Sequence, residues 1–200
     1  MNGDAARRLL EDLVNRDGAP SSDFDLNKSV VLPADRRLRD AAVLVAVRER
    51  AGVAELVLTK RSSRLKHHPG QIAFPGGKVD ETDLGFEAAA VREAEEEIAL
   101  SRGNVELLGT MPPHETVTGF SVTPVLGWIK RDFSPIPEAG EVAEVFFVPL
   151  AHVLDRRQFV IESRHWRGQR RSYYAVPWGP YYIWGATARI LRALADRMDA

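Results

Sequence analysis

Four glutamates crowd the short segment VREAEEEIAL, residues 91–100, in which Arg92 is the single basic residue. Side chains three and four positions apart share one face of a helix, so Glu93, Glu96 and Glu97 are predicted to project together. Like charges at this spacing destabilise a helix by roughly 0.2–0.5 kcal/mol per pair. Hard divalent cations such as Mg²⁺ bind several carboxylate oxygens and accept substrate phosphates in their remaining positions. The pattern therefore indicates a metal site, and an acidic helix that faces solvent is the alternative.

A pair of glycines precedes this segment in FPGGKVD, residues 74–80. The backbone of Gly76 and Gly77 can approach a metal or a phosphate closely, because no Cβ intervenes. Two glycines alone are weak evidence, since turns of every kind use glycine. The ordered combination is more specific: two glycines, an acidic residue, and then Arg-Glu-x-x-Glu-Glu. This order favours a site that binds phosphate together with a metal.

Residues 77–100 resemble the Nudix box, the diphosphate-hydrolase signature that reads G-x5-E-x7-R-E-U-x-E-E-x-G-U, with U a bulky apolar residue. The matching positions are Gly77, Arg92, Glu93, Glu96, Glu97 and Leu100. There are three departures from the signature. Asp83 stands where the first glutamate belongs, and the spacer from it to the arginine is one residue longer. Ala94 replaces a larger apolar residue, and Ala99 replaces the late glycine.

The resemblance implies a set of roles for these residues. Glu93, Glu96 and Glu97 would ligate Mg²⁺ or Mn²⁺, and a carbonyl of Gly77 or of its neighbour would complete the shell. Arg92 would orient a carboxylate by a charge-assisted hydrogen bond. Bound cations of this kind polarise phosphoryl oxygens, lower the pKa of a bound water and neutralise charge as a diphosphate bond breaks.

The segment LTKRSSRLKHHPGQIAFPGG, residues 58–77, resembles a second signature, which marks the coenzyme A diphosphatase branch of the Nudix proteins. That pattern reads roughly L-L-T-x-R-S-x3-R-x3-G-x3-F-P-G-G, and Lys66 occupies its second arginine position. Coenzyme A carries a 3′-phosphate besides its diphosphate, so a selective pocket needs additional cations. Arg61, Arg64 and Lys66 are the candidate phosphate contacts, and a solvated strand edge and loop is the alternative.

The resemblance covers about residues 40–190 and implies hydrolysis of coenzyme A or acyl-CoA to 3′,5′-ADP and (acyl-)4′-phosphopantetheine. A Nudix hydrolase of another nucleoside diphosphate derivative, such as ADP-ribose or a dinucleotide, is the first alternative. A non-catalytic nucleotide-binding regulator is the second, and it would be expected to lack one of the glutamates of the box.

Two glutamates are candidates for the general base. Glu93 could contact both metal and water, and we favour it. Glu141 lies just before a predicted strand, where this branch tends to place a glutamate, and Glu138 and Glu144 are its rivals. Aromatic residues near the C-terminus could stack on an adenine or cover the pantetheine arm, although core packing is the default for such a cluster. They are Trp178, Tyr181, Tyr182 and Trp184.

The periodicity predicts a mixed sheet that lies between helices, an α/β (α+β) arrangement, and the resemblance implies the Nudix fold. A helix covers the opening residues, and a connection rich in Gly, Pro, Ser and Asp runs to residue 40. Strands are predicted at 41–50, 54–62, 72–74, 105–110, 121–129 and 144–150, a hairpin at 158–166 and 170–178, and helices at 83–100 and 185–198.

The length and composition limit the number of domains, the compartment and the partners of the protein. A chain of 200 residues is predicted to be a single domain, 1–200, with residues 1–40 as its N-terminal helix and extended connection. It has no cysteine, which fits a reducing compartment, and no apolar run long enough for a membrane span. The net charge of −1 argues against a nucleic-acid partner. We expect a cytoplasmic enzyme that acts on a small molecule, with a homodimer left open.

Overall fold

The structure, a computed structural model, describes residues 1–33, 35–65, 68–166 and 168–199. The helices are α1 (Gly3–Asn15), α2 (Phe86–Ile98), α3 (Leu150–Leu154) and α4 (Ala186–Asp196). The strands are β1 (Ser21–Ser22), β2 (Arg39–Arg50), β3 (Val53–Arg61), β4 (Ile72–Ala73), β5 (Gly76–Lys78), β6 (Val105–Thr110), β7 (His114–Glu115), β8 (Phe120–Ile129), β9 (Val142–Pro149), β10 (Val160–Trp166) and β11 (Gln169–Ala175).

Strand β2 lies in the middle of the main sheet. It is parallel to β8 over residues 39–47, and β6 and β7 pair with the other edge of β8. On its second side β2 is antiparallel to β3, which also pairs with β4 and β9. Nine of the described strands therefore form one mixed sheet, and β10 and β11 form a separate antiparallel hairpin.

The second side of β2 changes its partner along the strand. Residues 41–43 pair with β5, and residues 47–50 pair with β3. Between these two stretches, the Leu44 N–H donates a hydrogen bond to the Pro75 carbonyl at 2.8 Å. The glycine pair is therefore bound into the sheet at the point where β2 exchanges one neighbour for another.

Side chains of β2 alternate between two apolar cores. Leu44 belongs to the core that contains Ala94 of α2. Val45 belongs to the core that contains Leu10 of α1 and Leu191 of α4. Helices consequently cover both faces of the sheet, and the predicted fold class is confirmed.

Helix α2 begins later than the predicted residue 83. Gly85 precedes it with a φ of 117°, and the first helical residue is Phe86. Asp83 lies in a turn, in which its N–H donates to the Asp80 carbonyl at 3.0 Å and its carboxylate accepts from the Asp80 N–H at 2.9 Å. These local hydrogen bonds offer the backbone an alternative to the helix, as aspartate often does.

The end of α2 uses alanine at the position where the Nudix box has glycine. Ala99 has a φ of 57°, in the left-handed region. Its N–H donates to the Glu95 carbonyl at 3.1 Å, and the Leu100 N–H donates to the Ala94 carbonyl at 3.3 Å. These bonds satisfy carbonyls that the helix leaves unpaired. The left-handed conformation costs an L-residue about 1–2 kcal/mol, which glycine avoids.

The other predicted helices and strands are present with small shifts at their ends. Strands β1, β5 and β7 were not predicted, because two or three residues carry no readable periodicity. In the described ranges, no helix combines the length and apolar character needed to cross a membrane.

Candidate active site

The glycine pair lies so close to its neighbours that a side chain at either position would displace them. A Cβ on Gly76 would come within 2.5 Å of the Ala42 carbonyl oxygen. A Cβ on Gly77 would come within 2.4 Å of Oε1 of Glu93. The carboxylate of Glu93 therefore occupies the space that a side chain at residue 77 would fill.

Glu97 is a buried carboxylate beside the same glycines. It is 5% exposed, and its Oε2 accepts a hydrogen bond from the Gly76 N–H at 3.2 Å. Burial raises the pKa of Glu97 to about 8, and the nearby charges of Glu93 and Glu141 add to the shift. The Gly76 N–H and the charge of Arg61 act in the opposite direction. An ionised Glu97 consequently needs further positive charge close by.

Arg92 connects the acidic side chains at the start of the site. Its guanidinium binds Asp83 through two hydrogen bonds, Nε to Oδ1 at 3.0 Å and Nη2 to Oδ2 at 2.8 Å. Nη1 donates to Glu93 at 3.0 Å and to Glu96 at 3.1 Å, and Nη2 also donates to the Lys78 carbonyl. The bonds from Arg92 lower the pKa of Asp83 to about 2.

The three predicted metal ligands are neighbours, but their carboxylates make different contacts. Glu93 and Glu96 meet at Nη1 of Arg92, with Glu96 at 59% side-chain exposure, whereas Glu97 is buried and accepts from the Gly76 N–H. In the ranges that the structure describes, no three histidine, aspartate or glutamate side chains are gathered closely enough to hold a metal ion as arranged here. Nη1 of Arg92 lies between two of these carboxylates, since it binds both Glu93 and Glu96.

The donor set nevertheless fits a hard divalent cation. It consists of carboxylate oxygens and glycine carbonyls, which are the ligands that Mg²⁺ and similar ions prefer. Among the described residues, no salt bridge reaches the buried Glu97 carboxylate. A cation between Glu93 and Glu97 would offset the desolvation of Glu97 and the repulsion between the two carboxylates.

A basic loop begins at the end of β3, next to these glutamates. The Arg61 N–H donates to the Gln71 carbonyl at 2.9 Å, and the Gly70 N–H donates to the Arg61 carbonyl at 3.2 Å, which closes the loop at its base. Nε of Arg61 is buried and has no hydrogen-bond partner in the part of the chain described. A buried, unpaired donor of a guanidinium is suited to an incoming phosphate oxygen.

The remaining predicted phosphate contacts lie further along this loop. Arg64 is exposed, and its N–H donates to the hydroxyl of the buried Ser62 at 3.3 Å. Lys66 lies outside the described residues.

Glu141 is the least constrained of the glutamates in the later loop. Its backbone carbonyl accepts from the Ser62 N–H at 2.7 Å, which attaches it to the basic loop. Its carboxylate has no hydrogen bond within the described ranges, whereas Glu138 caps the Gly140 N–H at 2.9 Å. Glu144 accepts from the Tyr181 hydroxyl at 2.5 Å. The two rivals of Glu141 are therefore engaged in structural hydrogen bonds.

The aromatic residues near the C-terminus divide into two groups. Tyr181 stacks on Phe146 with ring centroids 3.6 Å apart. The ring centroids of Trp178 and His152 are 4.8 Å apart. These two rings pack against the core. Tyr182 is exposed and Trp184 is half-buried, so they face the surface.

Asp83 is the site residue that the sequence analysis left without a role. Its double hydrogen bond with Arg92 crosses nine positions of the chain. The place of Asp83 at the first acidic position of the box was the available signal.

The sheet, α2 and the glycine pair define a known class of protein. The NUDIX domain model matches residues 37–167, more than half of the chain, and this span contains the glycine pair, the acidic helix and the basic loop. The chain belongs to the Nudix family and is a hydrolase that acts on a diphosphate bond.

Several relatives are similar to the chain over most of its length. It is 42% identical over 174 residues to a protein of Cronobacter sakazakii described as "Uncharacterized Nudix hydrolase NudL", covering 87% of this chain and 90% of that protein. A protein of the same description from Citrobacter koseri is 42% identical over 186 residues, with 93% of each chain covered. The solved MutT protein of Methanosarcina mazei Go1 aligns with a TM-score of 0.53 at 17% identity, over 84% of this chain and 99% of that one. At that identity the likeness shows the fold alone.

Proposed function

We propose that the protein hydrolyses the diphosphate bond of coenzyme A or acyl-CoA, releasing 3′,5′-ADP and (acyl-)4′-phosphopantetheine. The observation that supports this most is that the basic loop begins close enough to the acidic helix for the charge of Arg61 to act on Glu97. Arg61 opens a loop that contains two further cations, Arg64 and Lys66, and its charge acts on Glu97. A diphosphate next to the glutamates would meet these cations, and coenzyme A has a third phosphate for them to bind. The resemblance of residues 58–77 to the coenzyme A signature supports the same substrate.

The metal ligands in this proposal come from α2 and the glycine pair. Glu93, Glu96 and Glu97 would hold Mg²⁺ or Mn²⁺ together with the Gly77 carbonyl. When bound, the cation would polarise the phosphoryl oxygens and lower the pKa of a bound water. Glu96 has to leave Arg92, but an exposed pair at this helical spacing contributes only about 0.3–0.5 kcal/mol. The rearrangement is therefore small in free energy.

The proton of the attacking water is assigned to Glu93. The water oxygen forms a bond to phosphorus, the bond from that phosphorus to the bridging oxygen breaks, and the proton passes to the carboxylate. Arg92 holds Glu93 in place and keeps it from rotating into solvent. Glu141 is the alternative base, because its carboxylate is unbonded in the described structure and its charge acts on both Glu93 and Glu97.

We further propose that residues 1–200 form a single domain. Leu10 and Leu13 of α1, which belong to the segment 1–40, lie in the same core as Leu191 and Leu194 of α4. Separating the first helix would expose this core to water.

Product identification tests the substrate. Purified protein incubated with coenzyme A and Mn²⁺ should release 3′,5′-ADP and 4′-phosphopantetheine in equal amounts, as read by mass spectrometry. Turnover of ADP-ribose without release of phosphopantetheine would transfer the assignment to a hydrolase of another nucleoside diphosphate derivative.

A matched pair of variants tests the catalytic site. Glu97→Gln should lower kcat by about 10²–10³ or more, the range for losing one electrostatic group from an active site. Glu95→Gln is the control. Glu95 is on the same helix, but its carboxylate binds Arg102 at 2.8 Å and takes no part in the proposed site. Equal activity in both variants, with an unchanged fold by circular dichroism, would contradict the site.

A further inference from the structure

A second cavity lies beneath the β10–β11 hairpin, away from the glutamates of α2. Its volume is about 100 Å³, and its lining includes Arg164, Tyr173 and Trp184. Pockets for whole ligands usually measure about 300–1,000 Å³. The cavity is therefore suited to one planar ring system that belongs to a larger molecule.

The lining combines aromatic surface with two arginines, Arg164 and Arg171, and one acidic residue, Asp23. The guanidinium carbon of Arg164 lies 4.3 Å from the centroid of the Trp184 ring. The rings of Tyr173 and Trp184 meet edge to face, with centroids 5.1 Å apart. Residues 163–172 of the hairpin contain four arginines, one histidine and no acidic residue. A planar ring bound here would be stacked on aromatic or guanidinium surface, and an attached anion would be attracted by the hairpin.

Two sets of hydrogen bonds fix the walls of this cavity. The Asn27 amide exchanges two hydrogen bonds with the backbone of Ser172, both at 2.9 Å. Asp23 accepts from the Val117 N–H at 2.8 Å and contacts the fully buried His114 at 3.2 Å. The cavity is consequently built before any ligand arrives, which lowers the entropy cost of binding.

Short connections join the cavity to the basic loop. Trp184 lies three residues before Thr187, whose hydroxyl donates to the Ile72 carbonyl at 2.9 Å. Ile72 pairs with Lys60 on β3, and Arg61 follows directly. The cavity and the basic loop therefore lie on segments of the fold that contact each other.

We infer that this cavity binds the adenine ring of the substrate and that Arg164 contacts its 3′-phosphate. The inference rests on the proposed function for the choice of ligand. The base stacks on the surface formed by Trp184 and Arg164, as bases do on aromatic and guanidinium planes. The 3′-phosphate, close to the base, receives a charge-assisted hydrogen bond from Arg164.

Equilibrium binding tests the inference without catalysis. Titration calorimetry in EDTA would compare 3′,5′-ADP with 5′-AMP, which lacks the 3′-phosphate. Arg164→Gln should weaken 3′,5′-ADP about tenfold or more, the range for a hydrogen bond to a charged group, and should change 5′-AMP much less. Trp184→Leu should weaken both ligands by about five- to hundredfold.

Arg170→Gln is the matched control. It removes the same charge from the same hairpin, but Arg170 binds the Ser163 hydroxyl at 2.8 Å and does not line the cavity. Arg170→Gln should leave 3′,5′-ADP binding within about twofold of wild type. Equal weakening by Arg164→Gln and Arg170→Gln would overturn the inference, since only the total charge of the hairpin would then matter. Equal weakening of 5′-AMP and 3′,5′-ADP by Arg164→Gln would overturn the phosphate contact.

The two proposals can fail separately. If wild-type protein does not hydrolyse coenzyme A but Arg164→Gln selectively weakens 3′,5′-ADP, the binding inference stands and the proposed function falls. If wild-type protein hydrolyses coenzyme A and Arg164→Gln leaves both the KM and the affinity for 3′,5′-ADP unchanged, the binding inference alone falls.

Discussion

The buried carboxylate of Glu97 makes the metal-free protein sensitive to pH, and replacing it with glutamine should remove that sensitivity. In the unfolded chain Glu97 ionises at its ordinary pKa of 4.5, whereas in the folded protein its pKa is about 8. Between these values the unfolded state has lost a proton that the folded state keeps. The free energy of unfolding therefore falls as the pH rises through this window and levels off above pH 8.

The size of the effect follows from the two pKa values. From pH 6 to pH 8 this one group should lower the free energy of unfolding by about 2 kcal/mol, taking about 1.4 kcal/mol for each unit over which the two states differ in protonation. With a urea m-value of about 2 kcal/mol per M, the midpoint of unfolding falls by about 1 M. Glutamine cannot ionise, and its side-chain oxygen can keep the hydrogen bond from the Gly76 N–H.

Urea unfolding in EDTA at pH 6, 7 and 8, followed by circular dichroism, measures this difference. The midpoint of Glu97→Gln should rise relative to wild type by about 1 M across the range. Glu96→Gln is the control, because its exposed carboxylate should give a pH trend within about 0.5 kcal/mol of wild type. Added Mn²⁺ should restore the stability of wild type at pH 8 and leave Glu97→Gln unchanged. Parallel pH curves for wild type and Glu97→Gln would refute the claim that Glu97 is a desolvated acid.

Three further substitutions test the residues that position the glutamates of α2. Gly77→Ala places a Cβ against the Glu93 carboxylate, so kcat should fall about 100-fold or more. Gly103→Ala is the control and should retain activity, because the nearest atom to its Cβ would be 3.8 Å away. Similar rates for the two variants would contradict the close approach. Asp83→Asn removes the charged partner of Arg92 and should lower thermal stability by about 1–3 kcal/mol in free energy; an unchanged melting temperature would show that the pair is not stabilising. Ala99→Gly relieves a left-handed φ of 57° and should raise the melting temperature by an amount equivalent to about 0.5–1 kcal/mol, and a lower value would show that the strain is absent.

Local patterns were sufficient to predict the helix of the site, but not strand β5, which contains the glycine pair. The apolar spacing of Ala94 and Ile98 predicted a helix packed on the sheet, and both residues are fully buried. The glycine pair predicted a backbone that can approach a metal or a phosphate, and its close neighbours in the structure are the Ala42 carbonyl and the Glu93 carboxylate. The helix depends on residues within one or two turns of each other, which a sequence displays directly.

The depth and partners of the acidic side chains depend on long-range pairing and could not be predicted. Glu97 is buried because β2 draws the segment of Gly76 into the sheet from more than thirty positions away. The hydroxyl of Tyr181 donates a hydrogen bond to Glu144 across 37 positions of the chain, which leaves Glu144 less suited than Glu141 to act as the general base. No periodicity within either segment encodes such contacts.

Anomalous diffraction from a crystal grown with Mn²⁺ tests the central claim most directly, namely that α2 holds a divalent cation. We predict a Mn²⁺ peak within coordination distance of Glu93, Glu96 and Glu97, with Glu96 turned away from Arg92 toward the ion. A crystal in which every Mn²⁺ peak lies elsewhere, with none beside these carboxylates, would contradict the account.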